Sequence, residues 1–300
     1  MAVDSQWGNT SLLLPLSANL LDARGHTMTA SGGIALSSAV GTPFGAGNAL
    51  FCDGSTDLLT ADSSDFTMGT GDFSIQFAFY PVAPGGHGAA YARLLTIGEN
   101  ATGNGLYITS NASDNPMTLL IQYYVSGYLN VIDYVATTIS NDAWHWLQLD
   151  RVSGVWSCYV DGTLYSTKST SVNLTRTKLC IGANSAGGEA FKGYFSNVRV
   201  TKGAYRASHA VPSAPFPRPS ISGVTKNANT GVLESKVVVA LKRSTLAVDG
   251  TAVSAGDGTY TIYPSDFSEH VVMDFDTATY PLVDGGSGEN AIIYDRVIPG

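Results

Sequence analysis

Apolar and polar residues alternate with a period of two along most of the chain. In "DFSIQFAFYPV", Phe73, Ile75, Phe77 and Phe79 fall on one face, and Ser74, Gln76, Ala78 and Tyr80 on the other. A strand with one face in a core reads this way. "VWSCYVDG" repeats the pattern: Trp156, Cys158 and Val160 alternate with Val155, Ser157 and Tyr159, and Asp161-Gly162 then signals a hairpin turn. "GLYITS", "TLLIQYYV", "LNVIDYVA", "WHWLQLDRV" and "TKLCIGAN" read as further strands, punctuated by Gly, Asn and Asp. In "GYFSNVRVTKGAYR", residues 193–206, simple alternation puts Tyr194, Ser196, Val198 and Val200 on one face and Phe195, Asn197, Arg199 and Thr201 on the other. No stretch keeps a helical period beyond a turn or two. The pattern predicts an all-β protein, with a jelly-roll sandwich over residues 1–210.

"VPSAPFPRPS", residues 211–220, holds four of the twelve prolines and predicts an extended, semi-rigid linker. Strands resume in "SKVVVALKR", "GTYTIY", "HVVMDFD" and "NAIIYDRVI", with turn signals at Asp249-Gly250, Asp257-Gly258 and Asp284-Gly285. Residues 221–300 are therefore expected to form a small Ig-like or transthyretin-like β-sandwich.

Charged residues make up 13% of the chain, about half the usual share for soluble domains. So few charges leave surface and sheet edges prone to pairing, and a homo-oligomer is expected. The net charge of −8 is unevenly laid out: −10 over residues 1–150, +7 over 151–218 and −5 over 219–300. An acidic chain of pI about 4.9 argues against nucleic acid as a partner. If the basic segment forms one outer face, Lys168, Arg176, Lys178, Lys192, Arg199, Lys202 and Arg206 would meet an anionic partner. The bland alternative is that they pair with the acidic first half.

The start, Met1-Ala2-Val3-Asp4, lacks the basic and apolar regions of a signal peptide, and "SLLLPL" is too short to span a membrane. The expectation is synthesis in a reducing cytoplasm with Cys52, Cys158 and Cys180 as thiols, a Cys158–Cys180 bridge remaining open.

"FGAGNALFCDGSTDLLTADSSDFTMGTGDFSIQFAFY", "CYVDGTLY", "GYFSNVRVTKGAYR" and the exit "PSAPFPRP" together resemble the laminin G-like, or concanavalin A-like, jelly roll. "GTYTIY" and "NAIIYDRVIPG" resemble small β-domains that follow such jelly rolls in bacteriophage tail and virion proteins. The resemblance implies a non-enzymatic virion structural protein, in a tail tip, a fibre or a head decoration, displaying a lectin-like domain for host attachment. Its partners would be other virion proteins, copies of itself and a host-surface glycan, without membrane insertion. A carbohydrate-binding adhesion module is the alternative, and a glycoside hydrolase the more distant one.

Candidate chemistry is sparse. A glycosidase needs two carboxyl groups across the scissile bond. Residues 1–218 hold only two glutamates, Glu99 and Glu189, and neither has an acidic neighbour two to five residues away. His145, between Trp144 and Trp146, reads as a packed histidine rather than a base. Some laminin G-like domains bind calcium through loop aspartates, which makes Asp53 and Asp57 the calcium candidates, against a plain Asp-Gly turn. Tyr128 and Tyr134 could stack on a sugar, with Arg199 and Lys202 as further ligand-binding candidates.

Overall fold

The computed structural model describes residues 4–82, 91–99, 103–111, 117–124, 127–132, 139–227, 230–275 and 292–300. The chain divides into two compact units, one of Asn9–Phe216 and one of Met1–Gly8 with Pro217–Gly300. Among the described residues the helical content is two single 3₁₀ turns, Trp7–Asn9 and Ser64–Phe66.

The strands of the larger unit are β1 (Thr10–Leu14), β2 (Thr29–Ser31), β3 (Ala35–Ser37), β4 (Ala49–Asp53), β5 (Leu58–Asp62), β6 (Phe73–Pro81), β7 (Tyr91–Ile97), β8 (Gly105–Asn111), β9 (Thr118–Tyr124), β10 (Tyr128–Ile132), β11 (His145–Val152), β12 (Val155–Val160), β13 (Thr163–Ser169), β14 (Lys178–Ile181) and β15 (Lys192–Lys202). One sheet runs β13-β12-β11-β6-β15-β4-β3, with β1 also paired to β15; the other runs β10-β9-β8-β7-β14-β5-β2. Every ladder between these strands is antiparallel. This is the jelly-roll sandwich that the alternation predicts.

The core lies between the inner faces. Phe73, Ile75, Phe77 and Phe79 of β6 are fully buried against Leu106, Ile108, Leu119 and Ile121 of the facing sheet's cluster. Each such side chain contributes about 1.5–3 kcal/mol by leaving water. Two tight hairpins set the register of β11, β12 and β13. Ser153-Gly154 and Asp161-Gly162 both have positive φ at both positions, the conformation whose twist matches paired strands. The Asp161 turn was visible in the sequence; the Ser153 turn lacks the Asn or Asp that would have marked it.

Simple alternation fails in β15. Asn197 adopts a left-handed conformation, φ 55°, and the pairing with β6 shifts between Ser196 and Arg199. This bulge puts Phe195, Val198 and Val200 on the same core face, although strict alternation separates Phe195 from the two valines. The bulge is held from two sides. The Asn197 N–H donates to the Pro15 carbonyl, and Asn197 Oδ1 accepts from the Phe216 N–H at 3.0 Å.

The proline-rich stretch also departs from the linker reading. Phe216 packs edge-on against Trp146 at 5.4 Å and lies under the Arg199 guanidinium. Phe216 thus covers part of the outer face of the jelly roll, and the unit boundary falls at Phe216/Pro217.

In the smaller unit, β16 (Ile221–Val224) pairs with β19 (Thr259–Ile262). A second sheet runs β18 (Val248–Val253), β17 (Val237–Lys242), β20 (His270–Phe275) and β21 (Ile292–Val297). Ile221, Val238, Ala240, Ile262 and Val272 form its core. The N-terminal residues, assigned by the sequence to the first domain, pack here: Trp7 Nε1 donates to the Ser265 carbonyl at 2.8 Å, and its ring meets Phe267 edge-on. Asp249-Gly250, read as a turn, lies inside β18. The glycine is needed because a Cβ would sit 2.4 Å from Ile262 Cγ2. The expected turn at Asp284-Gly285 lies outside the described residues.

All three cysteines are free and buried, so the Cys158–Cys180 bridge is absent. Cys158 and Cys180 belong to different sheets. Burial raises Cys52 well above the usual thiol range, Cys158 to about 12 and Cys180 to about 11. Since the thiolate is the nucleophile, a disulfide reagent at neutral pH should find the native chain inert and all three thiols reactive after denaturation. Fast labelling of any thiol in the native chain would contradict this burial.

Candidate functional site

The outer face of the sheet ending in β10 carries a polar and aromatic cluster. On β7, β8 and β9 the core takes Ala92, Leu94, Leu106, Ile108, Leu119 and Ile121. Alternation therefore turns Arg93, Tyr107, Thr109 and Gln122 to the opposite face. Arg93, only 2% exposed, is the hub. Its Nε donates to Glu189 Oε2 at 2.8 Å, and its Nη1 donates to Thr109 Oγ1 at 2.7 Å and to Gln122 Oε1 at 3.4 Å. Glu189 is itself positioned by a backbone bond from the Arg93 N–H to its carbonyl, and by Asn184 Nδ2.

Two tyrosines flank the guanidinium. Its carbon lies 4.9 Å from the centroid of Tyr107 and 5.1 Å from that of Tyr128. Tyr107 is buried and donates to the Glu99 carbonyl at 2.7 Å; burial pushes its hydroxyl up to about 12, so it remains a neutral donor. Tyr128 is 37% exposed. It meets Tyr107 edge-on at 5.3 Å and Tyr124, its cross-strand partner, at 5.0 Å. Its ring is thereby fixed while its surface stays open.

A cleft of about 310 Å³ opens on the other side of the β10 edge, lined by Tyr123, Leu129, Asn130, Val131, Lys168, Ser169 and Thr170. Asn130 joins the two features. Its Oδ1 accepts from Gln122 Nε2 at 2.9 Å, and its carbonyl accepts from Lys168 Nζ at 2.8 Å. The outer face offers an ordered aromatic ring, and the cleft offers hydroxyls, Asn130 and one cation. Such groups suit a neutral or weakly anionic ligand with hydroxyls around an apolar face.

The other sequence candidates lie elsewhere. Tyr134 is outside the described residues. Arg199 corrects the expectation of an exposed basic face. It does point away from the core, but it is buried, donates through Nε and Nη2 to Gln76 Oε1 at 3.0 and 2.6 Å, and is covered by Phe216. Lys202 donates to the Ser64 carbonyl at 3.0 Å. Lys178 belongs to the opposite sheet from Lys192, Arg199 and Lys202, so the basic segment does not make one face. Of that segment, Lys168 reaches the cleft.

Asp57 is buried and accepts the backbone N–H groups of Gly33 and Asp53, while exposed Asp53 accepts the Ser55 N–H at 2.7 Å. Both Asp57 oxygens thus clamp backbone. Sequence reasoning missed Arg93. Its signal was an arginine alternating with Ala92 and Leu94, in a half-chain holding one other basic residue.

A sandwich of this topology, with an ordered aromatic and amide cluster on one outer face, is of the lectin-like class. The chain belongs to the concanavalin A-like lectin/glucanases superfamily, whose model matches residues 53–209, just over half of it. No curated protein sequence matches the chain. Among solved structures, it is similar to domain 4 of an extracellular arabinanase from Geobacillus stearothermophilus, solved with arabinotriose. That match has a TM-score of 0.52 at 14% identity, covering 67% of this chain and 96% of that one. The binding domain of botulinum neurotoxin DC, in complex with SialylT, matches with a TM-score of 0.51 at 11% identity, over 85% of this chain and 73% of that one. A Trypanosoma rangeli sialidase mutant with trans-sialidase activity matches with a TM-score of 0.50 at 14% identity; the chain spans 32% of its length. These likenesses concern the fold.

Proposed function

We propose that the jelly roll is a non-catalytic glycan-binding module and that the chain is a structural component of a bacteriophage particle, displaying this module for attachment to a host-surface glycan. The observation that carries the glycan reading is the packed, part-exposed ring of Tyr128 on the outer face of the sheet. Relatives in fold that were solved with arabinotriose and SialylT support it. Glu189, a carboxylate within the cluster, is held by Arg93 as an anchor, which favours binding over hydrolysis. The virion reading rests on the resemblance of the C-terminal segments, the low charge, and exposed Leu246, Val248, Val253 and Tyr263 on the smaller unit, surface suited to neighbours in an assembly. Particle proteins and further copies of the chain would be those neighbours, and synthesis in the host cytoplasm accords with the thiols.

The test is a glycan array probed with the labelled chain and with Tyr128→Ala. Wild type is expected to bind at least one glycan without cleaving it, and the variant to lose about tenfold in affinity or more, as aromatic anchors do, with unchanged thermal stability. An array on which wild type binds nothing would reject the glycan reading. An antibody against the jelly roll should label purified particles; absence of the chain from them would reject the virion reading.

A further inference from the structure

The smaller unit brings three metal-ligating side chains to one end of its sheet. Asp249 stands near the start of β18, His270 opens β20, and Asp266 lies in the loop before β20. One ligand atom from each lies within 4.8 Å of the other two. A tetrahedral shell with bonds of about 2.0–2.2 Å has edges of roughly 3.3–3.6 Å, so the three groups would draw in slightly around an ion.

The imidazole supplies an independent observation. His270 is fully buried, and its Nδ1 lies 2.7 Å from the Ser268 carbonyl. A carbonyl can only accept, so Nδ1 carries the hydrogen. Nε2 faces the other way, toward Asp249 Oδ2 at 2.8 Å. A hydrogen or a metal ion can bridge that nitrogen and oxygen. A backbone carbonyl on the far nitrogen is also the usual arrangement behind a metal-bound histidine. A second carboxylate, Asp266, converges on the same place. Its Oδ2 now meets Lys242 Nζ at 2.8 Å, and its Oδ1 accepts the Ser268 N–H. Despite some burial, the hydrogen bonds from Lys242 and Ser268 hold Asp266 down at about 2, so it is anionic at neutral pH. Asp249 Oδ2 also accepts the Ser265 N–H at 3.1 Å.

We propose that Asp249, Asp266 and His270 form a binding site for a divalent transition metal ion, with zinc as the best match, which ties the 263–269 loop to the ends of β18 and β20. One imidazole with two carboxylates favours zinc or manganese over calcium, which prefers an all-oxygen shell. On binding, Lys242 gives up Asp266 to the ion. The rival is a protonated His270 paired with Asp249, in which a proton does the work of the metal.

The experiment uses the full chain, stripped with a chelator and titrated with zinc chloride by calorimetry and thermal unfolding. Cobalt is a spectroscopic probe. Wild type is expected to bind one zinc per chain at this site and to unfold at higher temperature with metal, and cobalt to give the visible bands of a nitrogen- and oxygen-ligated ion. Asp266→Asn, on a partly exposed loop residue, should lose at least about tenfold in affinity while keeping the metal-free melting temperature. His270→Gln should lose the cobalt bands; if it misfolds, Asp266→Asn alone decides. Equal zinc binding by wild type and Asp266→Asn, or no saturable binding at millimolar zinc, would overturn the proposal and leave the imidazolium–aspartate pair.

Discussion

Replacing Arg151 by methionine is expected to lower the unfolding free energy of the jelly roll by about 4 kcal/mol, roughly a 10 °C fall in melting temperature for a unit of this size. Arg151 follows Leu147 and Leu149 on the core face of β11 and is 1% exposed. Its guanidinium gathers four backbone carbonyls: Gly71 at 2.7 Å, Val172 at 2.9 Å, Met68 at 3.2 Å and Gly69 at 2.9 Å. It also lies 4.9 Å from the Phe73 ring centroid and 5.4 Å from that of Trp156. Burial lowers its pKa to about 10, still charged at neutral pH. Methionine keeps much of the stem's packing, but it leaves those carbonyls without a donor where water does not reach. Lysine at this position keeps the charge but cannot span four acceptors, and should fall between the two. Chemical denaturation followed by tryptophan fluorescence reads the difference. A loss below about 1 kcal/mol would mean that the two loops do not depend on this hub.

Gly193→Ala should be of similar size or prevent soluble expression. Gly193 is the second residue of β15, pairing with Cys52 on one side and Pro81 on the other. A Cβ there would lie 2.2 Å from the Tyr80 carbonyl oxygen and 2.5 Å from Phe191 Cε1. The carbonyl belongs to the neighbouring strand and the ring to the core, so neither can move without opening the sheet. Overpacking of this kind costs about 1–3 kcal/mol where side chains yield, and more where backbone must. Gly256→Ala, with nothing within 4 Å of the added carbon, is the matched control and should be near neutral. Soluble yield and melting temperature of the pair decide the matter. Equal behaviour of the two variants would show that β15 tolerates the displacement.

The site residues divide by how local their signal is. Tyr128 was open to sequence reasoning because an aromatic side chain is a plain candidate for stacking on a sugar. Arg93 was not singled out, since its partners Glu189, Thr109 and Gln122 stand 96, 16 and 29 positions away. The metal cluster has the same character: Asp249 and His270 are 21 positions apart and meet across β17, which lies between their strands. Arg199 went the other way. Its direction along the strand was readable, but its burial was not, because Phe216, which covers it, arrives from the chain's exit.

The sequence by itself determined that this is an all-β protein, which residues of β6 and β12 face inward, and where one of the tight turns falls. Those are properties of a period-two pattern and of dipeptides with positive φ, both set within a few residues. Tertiary structure alone decided the bulge at Asn197, the packing of residues 4–8 with the C-terminal unit, the fate of the basic segment and the meeting of Arg93 with Tyr128. Each depends on which strands become neighbours. That order is fixed by closing two sheets over one core, a balance summed over the whole chain that no local window contains.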